Sequence, residues 1–224
     1  MKNALKWTAA AAALAMSGTA IAGSSDGKIQ IKALATLVAP DGKITSIELD
    51  NIGLPAGTQT KADDNFVPTI AAEYFFTPNI SLETICCVTQ HDVTGTGPLD
   101  GAGLVSNANI IPATLTAKYH FGDGSGFKPY VGVGPTYFIF IDEKAGDTAQ
   151  ALGATRQKMN DKVGVALQAG FDLPLNDKGL GLSVDAKRYF VNTTARWYAG
   201  DTEVLRTRHK IDPWVISAGL AYRF

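Results

Sequence analysis

The stretch Trp214-Val215-Ile216-Ser217-Ala218-Gly219-Leu220-Ala221-Tyr222-Arg223-Phe224 decides the fold. Its residues alternate with the period of two that a β-strand imposes on its side chains. Trp214, Ile216, Ala218, Leu220, Tyr222 and Phe224 share one face; Val215, Ser217, Gly219, Ala221 and Arg223 share the other. A strand of a soluble barrel points its apolar face inward. Here the apolar face is unbroken and carries aromatics at both ends, while the opposite face holds small residues and a charge. That is the pattern of a membrane-barrel strand, whose lipid face is apolar between two aromatic girdles. Leu220, Tyr222 and Phe224 also match the pattern of last-strand residues that the outer-membrane assembly machinery reads as its signal.

Seven more segments of this kind precede it, at 28–38, 66–76, 80–90, 110–121, 127–141, 162–173 and 179–192, with the last segment spanning 211–224. Their length suits strands of about 9–11 residues crossing a bilayer at a tilt. In the first, Ile29, Ile31, Ala33, Ala35 and Leu37 oppose Lys28, Gln30 and Lys32. Long polar links follow segments one, three, five and seven; short turns follow two, four and six. The third long link is expected to hold a short helix over 149–159. Long external loops, short periplasmic turns and both chain ends on the periplasmic side define an up-and-down outer-membrane barrel. The predicted fold is all-β: one domain over 23–224, an eight-stranded antiparallel transmembrane β-barrel.

Residues 1–22 read as a secretory leader. Lys2 and Lys6 precede an apolar run over 7–16, and Ala20-Ile21-Ala22 supplies the small residues of a cleavage site after Ala22. Removing it leaves 202 of the 224 residues, with 18 basic against 21 acidic side chains. So weak an acidity gives no attraction for nucleic acid. The 18% charged content lies below the roughly 25% of soluble domains. No later run reaches the 18 or so apolar residues of a membrane helix.

The candidate chemistry is thin. Cys86 and Cys87 are adjacent in a strand, so their side chains point to opposite faces; they are expected to be reduced, buried thiols. His91-Asp92 has no serine placed to complete a nucleophilic set. Gly132 and Gly134 read as small residues on a crowded inner wall, not as a phosphate loop. Asp142, Glu143 and Asp147 lack the spacing of a cation site. The sequence thus points to no catalytic residue, no metal site and no enzyme.

The inward-facing residues are more informative. Alternation turns Lys32, Glu73, Glu83, Lys118, Asp185 and Arg223 inward, mostly in the periplasmic half. Buried charges must pair, so three acids and three bases are expected to form a plug. Higher up, Leu34, Val38, Ile85, Phe138 and Phe140 face inward and would line an apolar channel. Pro112 is expected to open strand four. It lacks a backbone donor and weakens pairing with strand three, which would create a lateral exit.

Several stretches resemble the outer-membrane protein W (OmpW) family, which includes alkane-import porins. They are Glu73-Tyr74-Phe75-Phe76-Thr77-Pro78-Asn79-Ile80-Ser81-Leu82-Glu83, His91-Asp92-Val93, Ile111-Pro112-Ala113-Thr114-Leu115, Lys128-Pro129-Tyr130-Val131-Gly132-Val133-Gly134 and Asp212-Pro213-Trp214-Val215 with the final Gly219–Phe224 run. The resemblance implies an eight-stranded barrel with a narrow apolar channel for passage of small hydrophobic molecules, without a cofactor. Expected partners are outer-membrane lipid, lipopolysaccharide, the assembly machinery and small hydrophobic solutes, for a monomeric barrel. The rival reading is an interaction barrel, an adhesin or receptor acting through its external loops.

Overall fold

The computed structural model describes residues 23–24, 26–122, 126–141 and 144–224. The leader, Asp142-Glu143 and the Asp123-Gly124-Ser125 turn lie outside the described residues, as does the side chain of Cys86.

Among the described residues, fifteen strands form in chain order. They are β1 (Ile29–Ala39), β2 (Lys43–Asp50), β3 (Gln59–Ala62), β4 (Asn65–Phe75), β5 (Ile80–Cys86), β6 (Thr89–Thr96), β7 (Gly103–His120), β8 (Lys128–Ile141), β9 (Lys144–Ala145), β10 (Arg156–Met159), β11 (Lys162–Pro174), β12 (Leu180–Phe190), β13 (Asn192–Ala199), β14 (Thr202–Lys210) and β15 (Trp214–Arg223). Eight of them close into an antiparallel barrel in the order β1-β4-β5-β7-β8-β11-β12-β15, with β15 returning to β1. Closure satisfies the main-chain groups within the wall, which lipid cannot do. The last rung is double: the Ile29 amide donates to the Phe224 carbonyl at 2.9 Å, and the Phe224 amide to the Ile29 carbonyl at 2.8 Å.

The alternation sorts side chains as the sequence predicts. Trp214, Ile216, Leu220 and Tyr222 face out, as do Ile29, Ile31 and Leu37, while Lys32, Leu34, Thr36 and Val38 are buried. Exposed aromatics ring both ends: Tyr74, Phe76, Tyr119 and Tyr222 below, Phe66, Tyr137, Phe190 and Trp214 above. Gly132 gives the inner wall its clearance. A Cβ there would stand 3.0 Å from Lys118 Cγ and 3.2 Å from Gln168 Oε1.

Above the barrel the long links are not loops. β2, β14, β13 and β10 form a second four-stranded sheet, while β3 pairs with β6 and β6 with the upper half of β7. The expected helix over 149–159 is corrected. The helix α1 spans only Asp147–Ala151, and Arg156–Met159 is a strand paired with β13. Four residues of alternating burial suit a strand over a cavity better than the helical face assumed for them. Asp212 turns the chain from this sheet into the barrel at φ 28°; its carboxylate accepts the Val191 amide at 2.7 Å.

Candidate functional site

The lower lumen is filled by charge. Glu83 is the hub. It lies 2.8 Å from Lys32, 3.0 Å from Lys118 and 3.1 Å from Lys187. Glu73 pairs with the same Lys32 and Lys118, each at 2.8 Å, and Asp185 pairs with Lys187 at 2.6 Å. Gln168 bridges across, donating to Glu83 at 2.9 Å and to Asp185 at 2.6 Å. His120 Nε2 stands 2.9 Å from Glu73, and Lys118 Nζ lies 3.6 Å from the centre of the Tyr130 ring. All these groups are buried. Pairing them is what makes so much buried charge tolerable.

Five of the six charges expected in the plug meet in this network: Lys32, Glu73, Glu83, Lys118 and Asp185. Arg223 does not, which corrects that expectation. It sits at the lower rim, where its guanidinium stacks on Phe75 at 3.7 Å and donates to the Gly27 carbonyl at 2.5 Å. Its strand ends there, and among the described residues it forms no ion pair with those acids. Lys187 takes its place. The signal was present in the sequence, because Lys187 follows Asp185 by two and so shares its face.

Above the network the lumen turns apolar at Phe138 and Tyr189. Their rings meet edge to face at 5.4 Å, and both side chains are buried. Three cavities then stack upward. The lowest, about 10 Å³, is lined by Val38, Ile85, Cys87, Pro112, Phe138 and Tyr189 among others. The middle one, about 40 Å³, shares Pro40, His91, Ile110 and Ile211 with it. The uppermost, about 120 Å³ and partly open, shares Thr60, Leu104, Trp197 and His209 with the middle one. Among the described residues, no Asp, Glu, Lys or Arg lines any of the three.

Of the five residues expected to line a channel, Val38, Ile85 and Phe138 line the lowest cavity. Phe140 packs in the same buried cluster as Phe138, and Leu34 packs with Ala71 and Ile85; neither lines any of these three cavities. The upper two cavities are walled mainly by the long polar links between the barrel strands. Ala195 and Trp197 on β13, and Leu205, Thr207 and His209 on β14, alternate plainly, and that periodicity was the available signal.

Pro112 lies in the middle of β7, not at the opening of its strand, which corrects that reading. It faces the lowest cavity. β5 pairs with β7 up to Ile85↔Thr114, and β6 resumes at Thr89↔Ile110 with the register unchanged. Cys87 and Val88, opposite Pro112 and Ile111, belong to neither strand. No residue is inserted; the ladder simply opens where a donor is missing. A second interruption faces Pro135, where β7 and β8 leave Leu115 and Thr116 unpaired. There the wall is backed by the Thr114–Thr136 hydroxyl pair at 2.8 Å.

Comparison with known proteins agrees with this architecture. An outer-membrane protein of Sinorhizobium fredii, y4mB, is 35% identical over 91% of this chain and 82% of its own length. Outer membrane protein W of Vibrio cholerae is 29% identical over 94% of each. The crystal structure of the outer membrane protein OprG from Pseudomonas aeruginosa superposes with a TM-score of 0.79 at 28% identity, covering 90% of this chain and 98% of that one. The OmpW family model matches residues 25–224, so a closed eight-stranded barrel, a charged floor and an apolar upper lumen occur here in a chain that belongs to the OmpW family of outer-membrane proteins.

Proposed function

We propose that this outer-membrane barrel passes small hydrophobic molecules passively, from the extracellular side into the membrane, after export and removal of a leader ending at Ala22. The carrying observation is the line of three apolar cavities, about 120, 40 and 10 Å³, ending on a closed charged floor. Cargo of this kind gains about 25 cal/mol for each Å² of apolar surface it hides from water. It cannot continue downward, because parting a buried ion pair costs roughly 3–5 kcal/mol, and at least six such contacts close the floor. The way left is sideways at Pro112, Cys87 and Val88, where the lowest cavity reaches the opened ladder. Lipid lies beyond, and Val88 is already exposed on that face.

The test is uptake of an apolar fluorescent probe into proteoliposomes. Ala195→Phe fills the middle cavity from a buried position. It should cut uptake to near that of protein-free vesicles while circular dichroism reports a folded barrel. Undiminished uptake by the folded variant would overturn the route.

A further inference from the structure

Besides the indole of Trp197, the middle cavity carries four polar side chains: Thr60, His91, His209 and Gln157. Three of these are fully used. The His91 Nδ1–H donates to the Asp63 carbonyl at 2.5 Å, and its Nε2 accepts from the Thr89 hydroxyl at 2.9 Å. The His209 Nδ1–H points at the Gly42 carbonyl at 3.2 Å, and its Nε2 accepts from the Thr207 hydroxyl at 2.7 Å. The Thr60 hydroxyl donates to the same Gly42 carbonyl at 2.5 Å. A carbonyl can only accept, so each ring must carry its proton on Nδ1. Burial lowers both histidines from their ordinary value, which keeps the rings neutral.

Gln157 differs. It is 3% exposed, yet neither its Oε1 nor its Nε2 has a hydrogen-bond partner among the described residues. β10 holds it there through the Gln157↔Trp197 pairing, with Met159 two residues on lining the same cavity. A buried amide with both functions unmet is destabilising, so its presence needs a reason. The cavity, about 40 Å³, exceeds the roughly 10–15 Å³ that one water requires. It therefore has room for a small polar group. The cavity above it is larger and apolar, with room for a chain. With no lysine, arginine or carboxylate among the described residues of either wall, a charged group would find no partner among them.

We propose that the middle cavity receives the polar end of an amphipathic cargo, an apolar chain bearing one small uncharged group that both donates and accepts a hydrogen bond. A primary alcohol is the simplest such cargo. Gln157 is its hydrogen-bonding partner, and the uppermost cavity takes the chain. This inference rests on the passage reading above and narrows its cargo. A site built to bond a hydroxyl disfavours the analogue lacking it, because the site's own polar atoms are then left unpaired.

The barrel without its leader, in phosphatidylcholine vesicles and with Trp214→Phe, keeps Trp197 as its reporter on the shared wall of both cavities. Titration at pH 7 with 1-octanol and with octane, corrected for partition into the lipid, gives an apparent affinity for each from the Trp197 emission. Vesicle uptake of both compounds is measured in parallel. Gln157→Leu should weaken 1-octanol about tenfold, equivalent to about 1.4 kcal/mol, and leave octane unchanged or tighter. Gln157→Met should do the same and serves if the leucine variant misfolds. Equal response to the two compounds in the parent, unaffected by either variant, overturns the inference and leaves the amide holding water alone. If uptake proceeds without dependence on Gln157, this inference falls and the passage reading stands. If Trp197 reports Gln157-dependent 1-octanol binding but neither compound is taken up, the passage reading falls and the site stands. If neither binding nor uptake is seen, both fall.

Discussion

Phe138 and Tyr189 meet edge to face at 5.4 Å between ring centres, and this one contact divides the lumen into a charged half and an apolar half. Phe138 comes from β8 and Tyr189 from β12, so β11 alone separates them in the wall. Edge-to-face pairs contribute about 0.5–1.5 kcal/mol beyond their burial. A double-mutant cycle with Phe138→Leu and Tyr189→Leu, read by urea unfolding in vesicles, should give a coupling of that size. Coupling below the error of the midpoints would mean that the two rings merely share a space.

Glu83 should be the most costly single charge to remove. Glu83→Gln leaves Lys32, Lys118 and Lys187 short of the acid all three share, and breaking buried pairs this way costs about 3–5 kcal/mol. Adding Lys187→Met should recover part of that loss. Unfolding midpoints in the same vesicles measure both. A loss under about 1 kcal/mol would show a floor that water already penetrates.

The upper sheet should weaken in acid. His91 and His209 lie above the apolar band, and desolvation lowers both from the ordinary value of 6.5; hydrogen bonds to the Asp63 and Gly42 carbonyls only partly oppose it. Asp63, Asp64 and Asp92 also favour the charged form of His91. The unfolded chain binds protons that the folded rings refuse, so stability rises with pH through this window. It is complete above about pH 6.5 and is lost as the pH falls toward the depressed folded values. Trp197 emission against pH should show this loss, and His209→Gln should reduce it. A signal flat from pH 7 to pH 4.5 would contradict the assignment.

Pinning the opened ladder should stop lateral release. Val88 and Ile111 stand opposite each other in the register that runs through the interruption. With Cys86→Ala and Cys87→Ala to remove competing thiols, Val88→Cys and Ile111→Cys should bridge under oxidation. The oxidised barrel should lose uptake of the apolar probe, and reduction should restore it. Normal uptake while bridged would move the exit elsewhere, with the Pro135 interruption the next to be locked.

The sequence by itself determined the barrel. A period of two is local, so Trp214 to Phe224 reveals which residues meet lipid before any partner strand is known, and the same parity turns Lys32, Glu73, Glu83, Lys118 and Asp185 inward. Parity fixes a face but not a height. Parity alone therefore groups Arg223 with acids it does not pair with, and sets Phe140 in a channel that it lines less directly than Phe138. Register, tilt and closure set the heights, and these are relations between strands distant in the chain. The unmet amide of Gln157 was invisible for the same reason: it is defined by what β6, β7, β13 and β14 fail to bring within hydrogen-bond distance. Only the tertiary structure decides this, because a cavity belongs to none of the segments that enclose it.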